Sequence, residues 1–236
     1  MTESRWQAVL FDLDGTLADT VPLILACYRH TMTAHLGAAP PDSAWLRGLG
    51  MPLSIQLLSF ARDEAEAARM VETYVAYQRT AHDALAREFA GACDAVAELR
   101  RRGIRLGVVT SKRRDIAQRT IACCGLTLDA FDVAIYADDV ELGKPDPEPV
   151  LLALERLDRL SPASVLMVGD SPHDIEAGRA AGVRTAAVLW GPFERAVLEA
   201  ARPDYVVGSW AELLELCGAG GESESGSVRD ESKSKG

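Results

Sequence analysis

Asp12 and Asp14 stand two positions apart directly after the apolar run Ala8–Phe11, in the string Asp12-Leu13-Asp14-Gly15-Thr16. Three further strings carry comparable chemistry: Thr110-Ser111-Lys112, Gly143-Lys144-Pro145-Asp146-Pro147, and Gly169-Asp170-Ser171-Pro172-His173-Asp174. An Asp pair after a strand is by itself an ordinary turn or cap. The partners change that reading, because three of the four strings follow an apolar run that reads as a strand. In an open α/β sheet, ligands bind outside the carboxyl ends of the strands. Four acids (Asp12, Asp14, Asp170, Asp174), the hydroxyls of Thr110 and Ser111, and Lys144 are thus expected at one rim. Carboxylates that converge there repel one another and are costly without a cation. Oxygen ligands with room for water suit Mg²⁺. Lys144 and the Thr110 hydroxyl are placed to hold phosphoryl oxygens. A metal, a cation and a hydroxyl together fit phosphoryl transfer, where positioning and charge stabilisation carry the catalysis.

The elements that must bring these strings together are legible as alternating runs. Strands are expected at Ala8–Phe11, Arg105–Val109, 133–136, 165–168, 185–189 and Tyr205–Val207. Most are nearly continuous apolar runs, as for strands covered on both faces. Helical patterns lie between them. A helix over 94–102 stops at Gly103, and Asp146-Pro147 and Ser171-Pro172 each place a capping residue before a proline. This alternation implies a doubly wound parallel sheet, a Rossmann-like α/β fold. From 21 to 89 it breaks. Helices are expected at Val21–Leu36, 53–61 and 63–82, with Met70, Val71, Tyr74 and Val75 at helical spacing. The division expected is a core of residues 1–19 and 90–217, an inserted α-helical cap of 20–89, and a disordered tail of 218–236 rich in Gly, Ser and charge.

Composition excludes several classes of function. The chain has 236 residues, 48% of them hydrophobic, enough for a sizeable core. Its formal net charge of −10 argues against a nucleic-acid partner. No apolar run approaches the roughly 20 residues that span a bilayer, and the first residues lack the pattern of a signal peptide. The five cysteines (27, 93, 123, 124 and 217) form no CxxC. They read as buried reduced thiols, and the cytoplasm is the expected location. His30, His35 and His82 read as surface or capping residues, and His173 as a turn residue.

With its motifs in this order, the sequence resembles the haloacid dehalogenase-like hydrolase superfamily. DLDGT at 12–16, VVTS at 108–111, GKPDP at 143–147 and VGDSPHDI at 168–175 carry the likeness, which extends over about residues 5–216. The insertion after the first strand corresponds to that family's helical cap. The resemblance implies that Asp12 is the nucleophile and forms an aspartyl-phosphate. Asp14 would act as general acid and then base. Its backbone carbonyl, with Asp12 and Asp170, would bind Mg²⁺. Thr110, Ser111 and Lys144 would hold the phosphoryl group with the backbone N–H groups of Leu13 and Ser111. Asp174 would orient Lys144 or metal-bound water.

Local phrases, among them Val188-Leu189-Trp190-Gly191, resemble the phosphoglycolate phosphatase and PpaX-type pyrophosphatase branch, which borders on β-phosphoglucomutase-like enzymes. The resemblance implies a small phosphorylated substrate and a monomer or homodimer. Arg47, at a glycine-containing junction between cap helices, is the expected contact for a second anion on the substrate. A phosphoacceptor signalling receiver is the rival from another class, but receivers are far shorter and lack both the insertion and the acid at the position of Asp14. A non-catalytic homologue is opposed by the completeness of the motifs.

Overall fold

The computed structural model describes residues 5–218. Eight strands form in chain order: β1 (Ala8–Phe11), β2 (Ala18–Asp19), β3 (Arg87–Glu88), β4 (Arg105–Val109), β5 (Val133–Ile135), β6 (Val165–Gly169), β7 (Arg184–Val188) and β8 (Tyr205–Val207). Ten α-helices accompany them: α1 (Val21–Leu36), α2 (Asp42–Leu46), α3 (Leu53–Leu58), α4 (Glu64–Leu85), α5 (Ala92–Arg101), α6 (Arg114–Cys123), α7 (Glu148–Arg156), α8 (Pro172–Ala180), α9 (Arg195–Ala200) and α10 (Trp210–Gly218). Six strands make a parallel sheet in the order β5-β4-β1-β6-β7-β8. β1 sits in its middle, with Leu10 opposite Gly107 on one side and Met167 on the other. The strand order reverses at β1, which opens the crevice where ligands bind in such sheets.

Alternation along β1 explains the two layers. Val9 and Phe11 face one way and pack with Val96, Leu99, Ile121 and Leu213 of α5, α6 and α10. Ala8 and Leu10 face the other way, against Val150, Ala153 and Ala177 of α7 and α8. All four β1 residues are fully buried, as a strand covered on both faces requires.

Helices α1–α4 occupy the interruption in the alternation and have a core of their own. Trp45 stacks between Tyr28 and Tyr74, with ring centroids at 4.9 Å and 5.8 Å, and Leu23, Cys27, Leu57 and Met70 close around them. The chain leaves and re-enters the sheet domain through β2 and β3, which pair antiparallel as Ala18↔Glu88 and Asp19↔Arg87. Two-residue strands have no alternation to read, so this clasp has no signature in the sequence. Neither has α2, a single short turn. Elsewhere the expected boundaries move by a few residues. α4 starts at its Asp63 cap, which accepts from the Glu66 N–H, and runs on to Leu85. α7 starts at Glu148, whose N–H donates to Asp146 at 2.9 Å. α10 is described as far as Gly218, and the expected disordered tail, from 219 on, lies outside the described residues.

Two expectations about titratable residues change. The described cysteines form no disulfide, but only Cys27, Cys124 and Cys217 are buried; Cys93 is half-buried and Cys123 exposed. His82 is not a surface residue: it is fully buried between α4 and α6. Its Nδ1 lies 2.9 Å from Asp83 and its Nε2 2.9 Å from the Thr120 hydroxyl. Arg119 of α6 completes the joint with two bonds to Asp83, at 2.9 and 2.8 Å, and one to the Arg79 carbonyl. The spacing of α4 pointed to its apolar face and could not show that its last turn meets a second helix.

Burial pushes the His82 pKa down, against the opposing pull of Asp83. The ring is then neutral at pH 7. An unfolded His titrates near pH 6.5. The folded protein resists the proton that the unfolded chain accepts, so the contribution of His82 is complete above about pH 6.5 and declines below it. In urea unfolding, the stability gap between wild type and His82→Asn should therefore narrow from pH 7.5 to pH 5.5. A gap independent of pH would contradict the buried neutral ring.

Candidate active site

The strand ends deliver their side chains into one buried cluster. Lys144 Nζ lies 2.8 Å from Asp12 Oδ1 and 2.6 Å from Asp174 Oδ1, and donates to the Val109 carbonyl at 3.1 Å. The lysine is 1% exposed. Asp12 extends from the end of β1. Asp170 and Asp174 come from the β6–α8 turn, where Ser171 caps the helix by accepting the Asp174 N–H and returns its hydroxyl to Asp174 Oδ2 at 2.6 Å. One capping box thus starts α8 and fixes the carboxylate that holds Lys144.

Oxygens of Asp12, Asp170 and Asp174 lie within 4.8 Å of one another. Burial pushes Asp12 up to about 7, the pull of Lys144 being too weak to cancel burial and the neighbouring acids. Asp170 is raised well above the ordinary carboxylate range by burial and by Asp174 and Asp12. Burial would lower Lys144, but Asp12 and Asp174 outweigh it and hold the ammonium charged. Three acids against one cation leave negative charge uncompensated.

Asp170 shows where a counter-charge fits. Its Oδ1 accepts from the Thr16 hydroxyl at 2.9 Å, while Oδ2 is buried without a partner. A buried carboxylate oxygen left unpaired is costly. Glycines clear the space around it: a Cβ on Gly15 would lie 2.3 Å from Asp170 Oδ2, and one on Gly191 2.3 Å from the Asp170 Cβ. Gly15 also has φ +79°, which disfavours any side chain there. Hard oxygen donors, an orphaned oxygen and a cleared cradle fit a small divalent cation.

Asp14 stands apart from that cluster. Its carboxylate accepts from the Lys112 ammonium and the Thr20 hydroxyl. A metal ligand from Asp14 would therefore be its backbone carbonyl and not its side chain. The backbone N–H groups of Leu13 and Ser111 donate to no described acceptor. The Thr110 hydroxyl accepts from the Lys112 N–H at 3.1 Å, and the Ser111 hydroxyl donates to the Gly50 carbonyl at 2.7 Å. That last bond ties the loop after α2 to the sheet rim, and a Cβ on Gly50 would meet Ser171 at 2.9 Å.

Asp12, Asp14, Thr110, Ser111, Lys144 and Asp170 all line one cavity of about 510 Å³, roofed by α1, α3 and α4. Arg47 does not line it. Trp45 and Leu49 are buried and Arg47, between them, is exposed, because successive helical side chains turn by about 100°. Besides Lys144, the cations that line it are Lys112, Arg113 and Arg79. Of these, Arg79 and Arg113 carry no motif and escape sequence reasoning. Lys112 adjoins a motif, but only the fold shows that it reaches Asp14.

The haloacid dehalogenase-like hydrolase profile matches residues 9–188. The chain belongs to that family and is an enzyme of its hydrolase kind. Pyrophosphatase PpaX of Bacillus velezensis is 38% identical over 218 residues, 92% of this chain and 99% of that one. A haloacid dehalogenase-like family hydrolase of Streptococcus pneumoniae superposes with a TM-score of 0.76 at 26% identity, over 89% of this chain and 98% of that one. A predicted phosphoglycolate phosphatase of Haemophilus somnus, 21% identical with a TM-score of 0.81 over 90% and 98%, shares the fold. Among the described residues, no helix is long and apolar enough to cross a membrane.

Gly191→Ala should displace Asp170 without straining the backbone. Titration calorimetry with Mg²⁺ should show affinity reduced about tenfold or more, the usual effect of disturbing a ligand's support. Unchanged affinity would remove Asp170 from the cation site.

Proposed function

We propose that the protein is a Mg²⁺-dependent phosphohydrolase acting on a small phosphorylated metabolite through an aspartyl-phosphate on Asp12, in the manner of phosphoglycolate phosphatases. The observation that carries this reading is Lys144 held between Asp12 and Asp174 beside the unpartnered Asp170 oxygen. Residues 1–19 and 90–217 act as the catalytic core, and 20–89 as the cap over it. Cysteines that form no disulfide among the described residues fit a reducing compartment, the cytoplasm.

Asp12 Oδ attacks phosphorus, and the bond from phosphorus to the leaving oxygen breaks. Asp14 gives that oxygen a proton. In the second step Asp14 takes a proton from water, which attacks phosphorus and releases the Asp12 carboxylate with inorganic phosphate. Splitting the displacement in two lowers each barrier. Lys144, the Thr110 hydroxyl and the free N–H groups of Leu13 and Ser111 hold the phosphoryl oxygens. Asp174 fixes Lys144 in place. Asp12, Asp170 and the Asp14 carbonyl would hold Mg²⁺, which supplies positive charge for the phosphoryl oxygens.

A second reading is hydrolysis of inorganic pyrophosphate. Lys112, Arg113 and Arg79 around the cavity favour it, since they suit a leaving group that is itself an anion. So does the likeness to a protein named pyrophosphatase PpaX.

Asp12→Asn keeps shape and removes the nucleophile. It should lower kcat by at least roughly three orders of magnitude, in keeping with the loss of a central catalytic group. EDTA should abolish turnover in the wild type and Mg²⁺ restore it. Phosphate release assayed on 2-phosphoglycolate and pyrophosphate checks both. Near-normal kcat in the variant, or full activity in EDTA, would exclude this mechanism.

A further inference from the structure

The cavity-facing side of α4 is graded. Val71, Tyr74, Val75, Gln78 and Arg79 follow helical spacing and all line the cavity. The stripe begins apolar and ends polar, toward the turn that His82 and Asp83 fasten to α6. Gln78 is the anomaly in it. It is 6% exposed, yet its amide makes no hydrogen bond to any described residue. The other glutamine lining the cavity, Gln56, is equally buried and gives its Nε2–H to the Trp45 carbonyl at 2.5 Å. A side chain more than nine-tenths buried, whose amide has no partner among the described residues and borders the cavity, is open to a ligand.

We propose that Gln78 is a specificity-determining residue that donates its amide N–H to an anionic oxygen on the leaving group. This rests on the phosphohydrolase reading, which places the phosphoryl group at Asp12 in the same cavity. Charge favours an anion over a neutral acceptor. Arg79 adjoins Gln78, and its one ion pair among the described residues, to Asp115, is long at 3.5 Å and exposed. Lys112 lines the same space. The oxygen belongs to a carboxylate or to a second phosphoryl group; the chemistry that Gln78 reads is the same.

Gln78→Met keeps length and volume and removes the amide. The test is kcat/KM on 2-phosphoglycolate, on pyrophosphate and on phenyl phosphate, which has no such oxygen. For whichever anionic substrate the enzyme prefers, its kcat/KM relative to phenyl phosphate should fall about tenfold to a hundredfold, as for a hydrogen bond to a charged group. A fall for one anion and not the other identifies the source of the oxygen. Gln78→Glu, which sets a carboxylate against the anion, should fall further. An unchanged thermal midpoint confirms that the variants fold. An unchanged ratio, or equal losses on all three substrates, would overturn the assignment. If the wild type hydrolyses none of them, the phosphohydrolase reading falls. Titration calorimetry of 2-phosphoglycolate and pyrophosphate with Mg²⁺ then decides Gln78 separately. Tenfold weaker binding by Gln78→Met supports it; equal binding, or none to either protein, overturns it.

Discussion

One buried ammonium serving two carboxylates organises this molecule. Lys144 is enclosed with Asp12 and Asp174, and Asp170 stands beside them. Removing one partner from a buried pair typically costs about 3–5 kcal/mol, because the survivor stays desolvated. The strands that end at this cluster are therefore not free to shift. β1 supplies Asp12, β4 supplies the Val109 carbonyl that accepts from Lys144, and the β6–α8 turn supplies the two other acids. The glycines around Asp170 follow from the same constraint, since the cluster tolerates no methyl group near that carboxylate. Three acids around one ammonium leave an excess of negative charge that a divalent cation would neutralise.

The helical insertion depends on the cluster through its attachments. Its contacts with the core include the β2–β3 pair, the joint of His82, Asp83 and Arg119, and the bond from Ser111 to the Gly50 carbonyl. The first two lie where the insertion leaves and rejoins the chain. The third lies on the sheet rim itself, beside Thr110 and Lys112.

Much of this was legible because the chemistry sits at strand ends. The runs at Ala8–Phe11 and Arg105–Val109 needed only apolar continuity to be read, and two of the four motifs stand at their ends. The Ser171 cap was read from its Ser-Pro pair. What stayed hidden shares a physical cause: it depends on which surfaces meet. His82 has no partner within its own pattern, since Thr120 and Arg119 lie nearly 40 residues away. Arg47 falls outside the cavity lining, because a glycine-containing junction does not reveal which way a side chain turns. Val71, Tyr74 and Val75 show a helical stripe, but apolar spacing is the same for a wall facing a core and one facing a cavity. Lys112 adjoins a motif, yet only the folded rim brings it to Asp14.

The central claim is a covalent bond from phosphorus to Asp12, formed under the charge that Lys144 maintains. Rapid quenching during turnover, reduction with borohydride and peptide mass spectrometry test it directly. An acyl phosphate is reduced at its carbonyl, so the account predicts homoserine in place of Asp12, in amounts that follow substrate occupancy, with Asp14, Asp170 and Asp174 unaltered. Sustained phosphate release with Asp12 intact, or reduction at another acid, would contradict it.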